Sequence, residues 1–241
     1  MEEVMYNFKS TIRFSETNTY KKLTPYSLVN YMQDASTFHS MKVGLGVDTL
    51  KEREKVWVVN SWQIEIRKPE KLEAFSDIEI GTWPYDKKGP MAYRNFYIAD
   101  ENEEKIVCAN SIWALLDTKT MRPIRIQDED VAAYGTDEKL DMIYADRKIT
   151  YGTELQACEP IEVQRFHLDT NNHVNNAKYF LMAEQLVPEE DYPVYLRAEY
   201  RKSAVLGDTI YPFVEKNDDR YVIVLGDKEA NPYAIIEWRI K

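Results

Sequence analysis

An internal repeat is the sequence feature that most constrains the fold, because a chain with the same element order twice folds as two related units. Residues 65–68 read Glu-Ile-Arg-Lys and residues 199–202 read Glu-Tyr-Arg-Lys. In each half this motif closes an apolar, alternating run that is typical of a β-strand. Three more strand-like segments follow in the same order, and the last contains Trp113 in the first half and Trp238 in the second.

One helix candidate precedes each block of strands. In the first half Thr24 is a capping residue, Pro25 suits the first helical position and Gly44 permits a stop. In the second half apolar residues at helical spacing predict a helix that ends before Pro188. We therefore predict an α+β fold of two tandem units, each a long central helix wrapped by a curved antiparallel β-sheet.

The domain boundaries follow from where the polar, irregular sequence lies. We predict an N-terminal repeat over residues 1–126, a linker over residues 127–158 and a C-terminal repeat over residues 159–241. The linker is rich in charged residues, and we expect at most a short helix over residues 128–134.

Composition excludes several classes of protein. A formal net charge of -10 argues against nucleic-acid binding, because phosphate contacts need clustered Lys and Arg. Cys108 and Cys158 lack the paired spacing of metal or redox sites, so we predict no metal and no cofactor. The first residues lack the basic head and apolar run of a secretory signal, and no stretch approaches the ~20 apolar residues that span a bilayer. We expect a cytoplasmic protein without membrane insertion.

A dense polar cluster that contains a histidine lies directly before the second helix, over residues 169–176. A helix start offers unpaired N–H groups and a partial positive charge, which stabilise the oxyanion formed when water attacks a carbonyl. His173 is the candidate base, and Asp169 or Asn171 would orient the imidazole or the water. Helix capping is the alternative interpretation, since Asp and Asn are preferred caps. The stretch before the first helix, residues 18–24, lacks the cluster, which favours chemistry.

The cluster begins a longer motif, Asp169-x-Asn171-x-His173-Val174-Asn175-Asn176-x-x-Tyr179, which is followed by Glu199-Tyr200-Arg201-Lys202. In the second of two similar halves, this motif resembles the acyl-acyl carrier protein thioesterases of plants and bacteria. The resemblance implies a double hotdog fold, with the acyl pocket mainly in the first repeat and the hydrolytic residues in the second.

The resemblance also implies which residues act. Asp169, Asn171 and His173 match catalytic positions of the family one for one. Plant members have Glu-Cys where Ser203-Ala204 stand here, so no cysteine nucleophile can act at that place. Direct attack by water is the simpler mechanism, with Ser203 as a residue that positions the water. Asp169 acting itself as base or nucleophile stays an alternative.

Three residues are assigned to substrate binding. Asn175 and Asn176 complete the polar motif, and Glu184 follows the apolar stripe of the second helix. Glu184 is either a buried acid in the site or a solvent-facing residue at the edge of the helix.

Three other titratable residues are expected to be structural or weaker candidates. His39 ends the first helix, where an imidazolium would suit the helix dipole. His167 alternates with apolar neighbours in an expected strand before the cluster, and the alternation around Glu199 predicts that its side chain faces water.

The function implied by the resemblance is hydrolysis of fatty acyl-acyl carrier protein to free fatty acid and carrier protein in fatty acid biosynthesis. The partner would be acyl carrier protein that bears a fatty acyl thioester, and two double-hotdog chains could pair as a homodimer. Two alternatives stay open: an acyl-coenzyme A thioesterase with the same site, and a non-catalytic acyl- or carrier-binding hotdog protein, which Ser203 in place of the acid allows.

Overall fold

The computed structural model describes residues 4–241, which form two compact units. The first contains residues up to 60 and residues 66–144, and the second contains residues 61–65 and 145–241. Within residues 4–241 no helix is long and apolar enough to cross a membrane. The helices and strands are β1 (Tyr6–Thr11), α1 (Pro25–Lys42), α2 (Val47–Glu52), β2 (Lys55–Ile66), β3 (Asp77–Lys88), β4 (Met91–Ala99), β5 (Lys105–Asp117), β6 (Gln156–Ala157), β7 (Ile161–Glu162), α3 (Asn176–Glu184), β8 (Tyr195–Tyr200), β9 (Thr209–Asn217), β10 (Arg220–Gly226) and β11 (Pro232–Arg239).

The first unit is one helix on an antiparallel sheet. The strand order is β1-β3-β4-β5-β2, and β1 with β3, β3 with β4 and β4 with β5 are antiparallel neighbours. Helix α1 packs against β3 and β1. Its residues Leu28, Val29, Met32 and Ala35 are fully buried, as their helical spacing requires.

The ends of α1 lie where the sequence predicts them. The Oγ1 atom of Thr24 accepts a hydrogen bond from the backbone N–H of Ser27 at 3.2 Å, and Pro25 occupies the first helical position. The helix ends at Lys42, and Gly44 follows with φ +75°. Short-range capping chemistry therefore fixes this helix.

The second unit repeats the layout with a shorter helix. Its strand order is β8-β11-β10-β9-β6, residues 61–65 of β2 pair with β8, and β7 pairs with β9. Helix α3 packs on β11 and has 9 residues, against 18 in α1. The helix ends at Glu184, and it could not continue through Pro188, which has no N–H to donate and whose ring would clash with the carbonyl of Glu184.

The segment between the two blocks of strands is held against the sheets by side chains. In the first unit Trp83 Nε1 donates to the carbonyl of Glu138 at 2.8 Å. In the second unit Glu199 Oε2 accepts from the N–H of Ile149 at 2.9 Å. The segment contains 3-10 turns within residues 128–134. The chain passes from the first compact unit to the second between residues 144 and 145.

Two expectations about charged side chains are wrong. Glu199 does not face water: it is fully buried, and its second oxygen, Oε1, lies 2.7 Å from Arg201 Nη2. His39 is not an imidazolium, because burial and the neighbouring charge of Arg94 lower its pKa to about 3. Its ring packs edge-on against Tyr134, with Nδ1 at 3.0 Å from Arg94 Nη1. Both side chains are parts of the core.

Candidate active site

The polar motif forms a tight turn, the second helix-start loop (residues 168–175). The backbone N–H of Asp169 donates to the carbonyl of His173 at 2.8 Å, and the N–H of Asn172 donates to the carbonyl of Asp169 at 3.1 Å. Asn172 has φ +58°, a left-handed conformation that Asn tolerates better than most residues. The turn therefore needs the residue types that the motif supplies.

The carboxylate of Asp169 organises this loop. Its Oδ1 atom accepts hydrogen bonds from the backbone N–H groups of Asn171 at 2.8 Å and His173 at 3.2 Å. Asp169 and His173 are half-buried, while Asn171 is exposed. The structure thus brings three of the four predicted catalytic residues, Asp169, Asn171 and His173, together in one turn.

A second stretch of chain, the facing segment (residues 203–205), lies beside the loop. The N–H of Val174 donates to the carbonyl of Ala204 at 2.9 Å, and His173 forms an antiparallel bridge with Val205. Val174 and Ala204 are buried, whereas His173 is half-buried and Val205 is 42% exposed. One face of this pairing fills the core and the other carries the histidine.

Ser203 lies on the exposed part of the facing segment. The antiparallel register of the bridge, continued by two residues, places Ser203 opposite Asn175. Ala204 is fully buried, so a side chain at that position points into the core. Position 204, at which the resemblance implies a cysteine in plant members, is therefore a packing position in this chain.

Asn175 connects the loop to α3. Its Oδ1 atom accepts from the N–H of Ala177 at 2.9 Å, and its carbonyl accepts from the N–H of Lys178 at 2.8 Å. Two N–H groups of the first turn are thus already bonded. Asn176, the first helical residue, is half-buried.

Glu184 is separated from these residues. It is the last residue of α3, about 12 Å along the helix axis from Asn176. It is half-buried, and its charge together with burial raises the pKa of Tyr192. The structure therefore places the third predicted binding residue at the far end of the helix.

The expectation that His167 lies in a strand is wrong. Residues 165–167 form a 3-10 turn, in which His167 Nδ1 accepts a hydrogen bond from the N–H of Gln164 at 3.0 Å. Burial and the charge of Lys178 lower the pKa of His167. A neutral imidazole that caps a turn in this way has a structural role.

Two residues near the site received no role from the sequence. The hydroxyl of Tyr179 accepts a hydrogen bond from the N–H of Ala204 at 3.2 Å, and Asp208 Oδ2 accepts from the N–H of Val205 at 3.0 Å. The available signal was Tyr179 itself, a hydroxyl within an otherwise apolar helix face. Both residues bond the backbone of the facing segment.

No metal centre accompanies these residues. Over residues 4–241, no group of three or more His, Cys, Asp or Glu side chains is placed to hold a metal ion.

Sequence profiles of a known family match both units. The profile of the acyl-ACP thioesterase N-terminal domain matches residues 3–134, and that of the acyl-ACP thioesterase C-terminal domain matches residues 151–239. The chain belongs to the acyl-ACP thioesterase family. The second helix-start loop and the facing segment both lie in the C-terminal domain of this family.

Plant thioesterases are among the relatives. The chain is 28% identical over 265 residues to the chloroplastic acyl-acyl carrier protein hydrolase FATB3 of Cuphea viscosissima, covering 99% of this chain and 63% of that protein. It is 25% identical over 233 residues to the chloroplastic oleoyl-acyl carrier protein thioesterase 2 of Arabidopsis thaliana, covering 85% of this chain and 61% of that protein. The chain thus spans less than two thirds of the length of these relatives.

Solved structures of acyl-ACP thioesterases share the fold. The structure of an acyl-ACP thioesterase from Bacteroides thetaiotaomicron matches with a TM-score of 0.87 at 20% identity, covering 98% of this chain and 97% of that one. The 12:0-ACP thioesterase from Umbellularia californica matches with a TM-score of 0.83 at 19% identity, covering 99% and 98%. The predicted α+β double hotdog fold is confirmed.

Proposed function

We propose that this acyl-ACP thioesterase family member hydrolyses fatty acyl thioesters of acyl carrier protein, releasing a free fatty acid and the carrier thiol. The observation that carries the proposal is the second helix-start loop, in which the carboxylate of Asp169 and the half-buried His173 lie in one turn that is bridged to the segment of Ser203. The names of the plant relatives, which describe hydrolysis of carrier-bound acyl groups, support the choice of carrier.

The proposed reaction is direct attack by water. The imidazole of His173 takes a proton from the water as its oxygen bonds to the thioester carbonyl carbon, which gives a tetrahedral oxyanion. The oxyanion then collapses, the C–S bond breaks, and the imidazolium returns its proton to the departing sulfur. Ser203, on the segment that pairs with His173, would position the water.

The oxyanion needs hydrogen-bond donors other than the N–H groups that are already bonded at the start of the helix. The N–H groups of Ala177 and Lys178 are bonded to Asn175, so they are poor candidates. We assign this role to the side-chain amide groups of Asn171, within the loop, and of Asn176, at the first helical position. Donors aimed at the developing charge supply a large part of catalysis in acyl transfer.

The acyl chain would bind mainly in the first repeat. Each buried methylene contributes about 0.8 kcal/mol, so an apolar pocket there would favour long chains.

A thiol-release assay tests the function, with palmitoyl-acyl carrier protein and palmitoyl-coenzyme A as substrates. We expect turnover of the carrier substrate, and at least ~100-fold slower release by His173→Ala, because a positioned base contributes that much. The matched control is Lys22→Ala, at the equivalent position of the first repeat, which should keep full activity.

The outcomes of this assay distinguish the three candidate functions. Faster turnover of the coenzyme A substrate at equal acyl length would replace the carrier with coenzyme A. Unchanged release by the His173 variant would remove the site assignment, and acyl-carrier binding without any release would identify a non-catalytic binder.

A further inference from the structure

The facing segment (residues 203–205) is held in place by two side chains that take no part in the proposed reaction. Helix residue Tyr179 is 2% exposed, and its hydroxyl accepts the N–H of Ala204 at 3.2 Å. Asp208 Oδ2 accepts the N–H of Val205 at 3.0 Å, while the N–H of Asp208 donates back to the carbonyl of Val205 at 3.1 Å. Two successive N–H groups of the segment are therefore tied by side chains.

The same segment is tied to the loop on its other side. The carbonyl of Ala204 accepts the N–H of Val174 at 2.9 Å, and Val205 is bridged to His173. Tyr179 therefore links α3, the facing segment and the loop through a single buried residue, Ala204. A shift of Ala204 would move Ser203 relative to His173.

The first repeat makes the corresponding backbone pairing without these side chains. The N–H of Leu23 donates to the carbonyl of Leu72 at 2.8 Å, as that of Val174 does to Ala204. The N–H of Leu72, however, goes to the carbonyl of Pro69 at 3.3 Å. The first repeat has Leu28 where Tyr179 stands, so the fold itself does not require a hydroxyl there.

At Asp208 the repeats share the backbone bond and differ in the side chain. Its counterpart Ser76 donates its N–H to the carbonyl of Glu73 at 3.2 Å, as Asp208 does to Val205, but it has a hydroxyl in place of the carboxylate. The side-chain ties are thus features of the repeat that carries the histidine.

We propose that Tyr179 and Asp208 are positioning residues, which hold the Ser203 segment at a fixed distance from His173 through the backbone of residues 204 and 205. The inference rests on the proposed function. Neither residue contacts the reacting carbonyl in this scheme. Small displacements of a reacting group reduce rates strongly, so loss of a tie should appear in kcat rather than in KM.

Tyr179→Phe tests the first tie, since it removes one oxygen and keeps the ring. With palmitoyl-acyl carrier protein we expect kcat to fall about tenfold while KM stays within about twofold. The control is Tyr31→Phe, which removes a buried hydroxyl from α1 that donates to Glu16 Oε2 at 2.6 Å. Tyr31→Phe should lower the melting temperature about as much as Tyr179→Phe does, and its kcat should equal that of wild type.

Asp208 provides an independent test if Tyr179→Phe folds poorly. Asp208→Ala removes the acceptor, whereas Asp208→Asn keeps one acceptor oxygen. We expect the alanine variant to lose several-fold in kcat and the asparagine variant to recover most of that loss.

Three results would overturn the inference: kcat within twofold of wild type in Tyr179→Phe, an equal loss of kcat in Tyr31→Phe, or equal kcat in the two Asp208 variants. His173→Ala, measured in parallel, separates this from the proposed function. If its release is slow while that of Tyr179→Phe is normal, only the positioning role fails. If its release is normal, the site assignment fails.

Discussion

The two helix-start loops have the same backbone and different chemistry. In the first, residues 17–24, Asn18 Oδ1 accepts the N–H groups of Tyr20 at 3.1 Å and Lys22 at 3.0 Å. Asp169 makes the equivalent two bonds in the second loop. An amide oxygen therefore suffices for the turn, and the negative charge of Asp169 is not needed to fold it.

The agreement extends to the residue with positive φ in each loop, Lys21 at +61° and Asn172 at +58°. The difference lies in the side chain that follows. Lys22 forms an ion pair with Glu73 at 2.8 Å, whereas the second loop has a histidine at that position. The turn is shared by both repeats, and the residues on it differ.

The largest effect that we predict concerns the stability of the second unit, whose sheet contains a buried carboxylate, Glu237. On β11, Glu237 is fully buried and bonded to three arginines, Arg197 at 2.9 Å, Arg220 at 2.7 Å and Arg239 at 2.6 Å. On β5 of the first unit, Asn110 takes the equivalent place, counted from the register shift that both strand pairs contain. Glu237→Gln should lower the free energy of unfolding by about 3 kcal/mol, because it removes the buried negative charge that three partly exposed arginines surround.

Urea denaturation measures this change, with Ile112→Val on β5 as a conservative control in the first unit, which should cost about 1 kcal/mol. Equal costs for the two variants would mean that the charge network adds nothing to the second unit.

The pH dependence of the same group follows from its ion pairs. Burial raises the pKa of Glu237, but hydrogen bonds and charges from Arg220 and Arg239 outweigh it and leave the pKa below its ordinary value. Its stabilising contribution is therefore complete above the unfolded pKa of about 4.3 and is lost as pH falls through the lower folded value. Wild type should lose more stability than Glu237→Gln between about pH 5 and pH 3, as urea midpoints would show.

Asp169→Asn sharpens the comparison of the two loops. It gives the second loop the residue type of the first, so the turn and the melting temperature should be retained. If the charge orients His173 or the water, thiol release should fall at least ~10-fold, equivalent to about 1.4 kcal/mol in the barrier. The reciprocal Asn18→Asp should leave release unchanged. Full activity in Asp169→Asn would reduce the role of Asp169 to capping.

The smallest predicted effect concerns a turn that the repeats build with different residues. Gly207 has φ +85° and nothing within 4 Å of an added Cβ, while its counterpart Phe75 has φ +74° and is 71% exposed. Gly207→Ala should cost about 1 kcal/mol of stability from backbone strain alone. Phe75→Ala should change stability less, because the wild-type residue already carries the strain of a positive φ. Calorimetry of both variants checks this.

Features set by short-range chemistry could be predicted from the sequence. Thr24 and Pro25 fix the start of α1, and Pro188 limits the end of α3, because caps and proline act within one turn of helix. The alternating runs predicted the main strands of each repeat. The polar motif of the second loop predicted which residues the turn brings together.

Side-chain burial could not be predicted in the same way. Alternation along β8 assigned Glu199 to water, but the segment that contains Ile149 covers that face and donates to its carboxylate. The period of a strand says which residues share a face and not what covers the face. The strand predicted at His167 was also wrong, because a local hydrogen bond between Gln164 and His167 gives a turn instead.

The sequence by itself determined that the chain contains two copies of one architecture and that only one copy carries a histidine in its helix-start loop. The tertiary structure decided what surrounds that histidine, because the facing segment comes from about 30 residues further along the chain. The bond between Tyr179 and Ala204 exists only when α3 and that segment are packed together. Residues far apart in the chain meet through packing, which a one-dimensional pattern does not record.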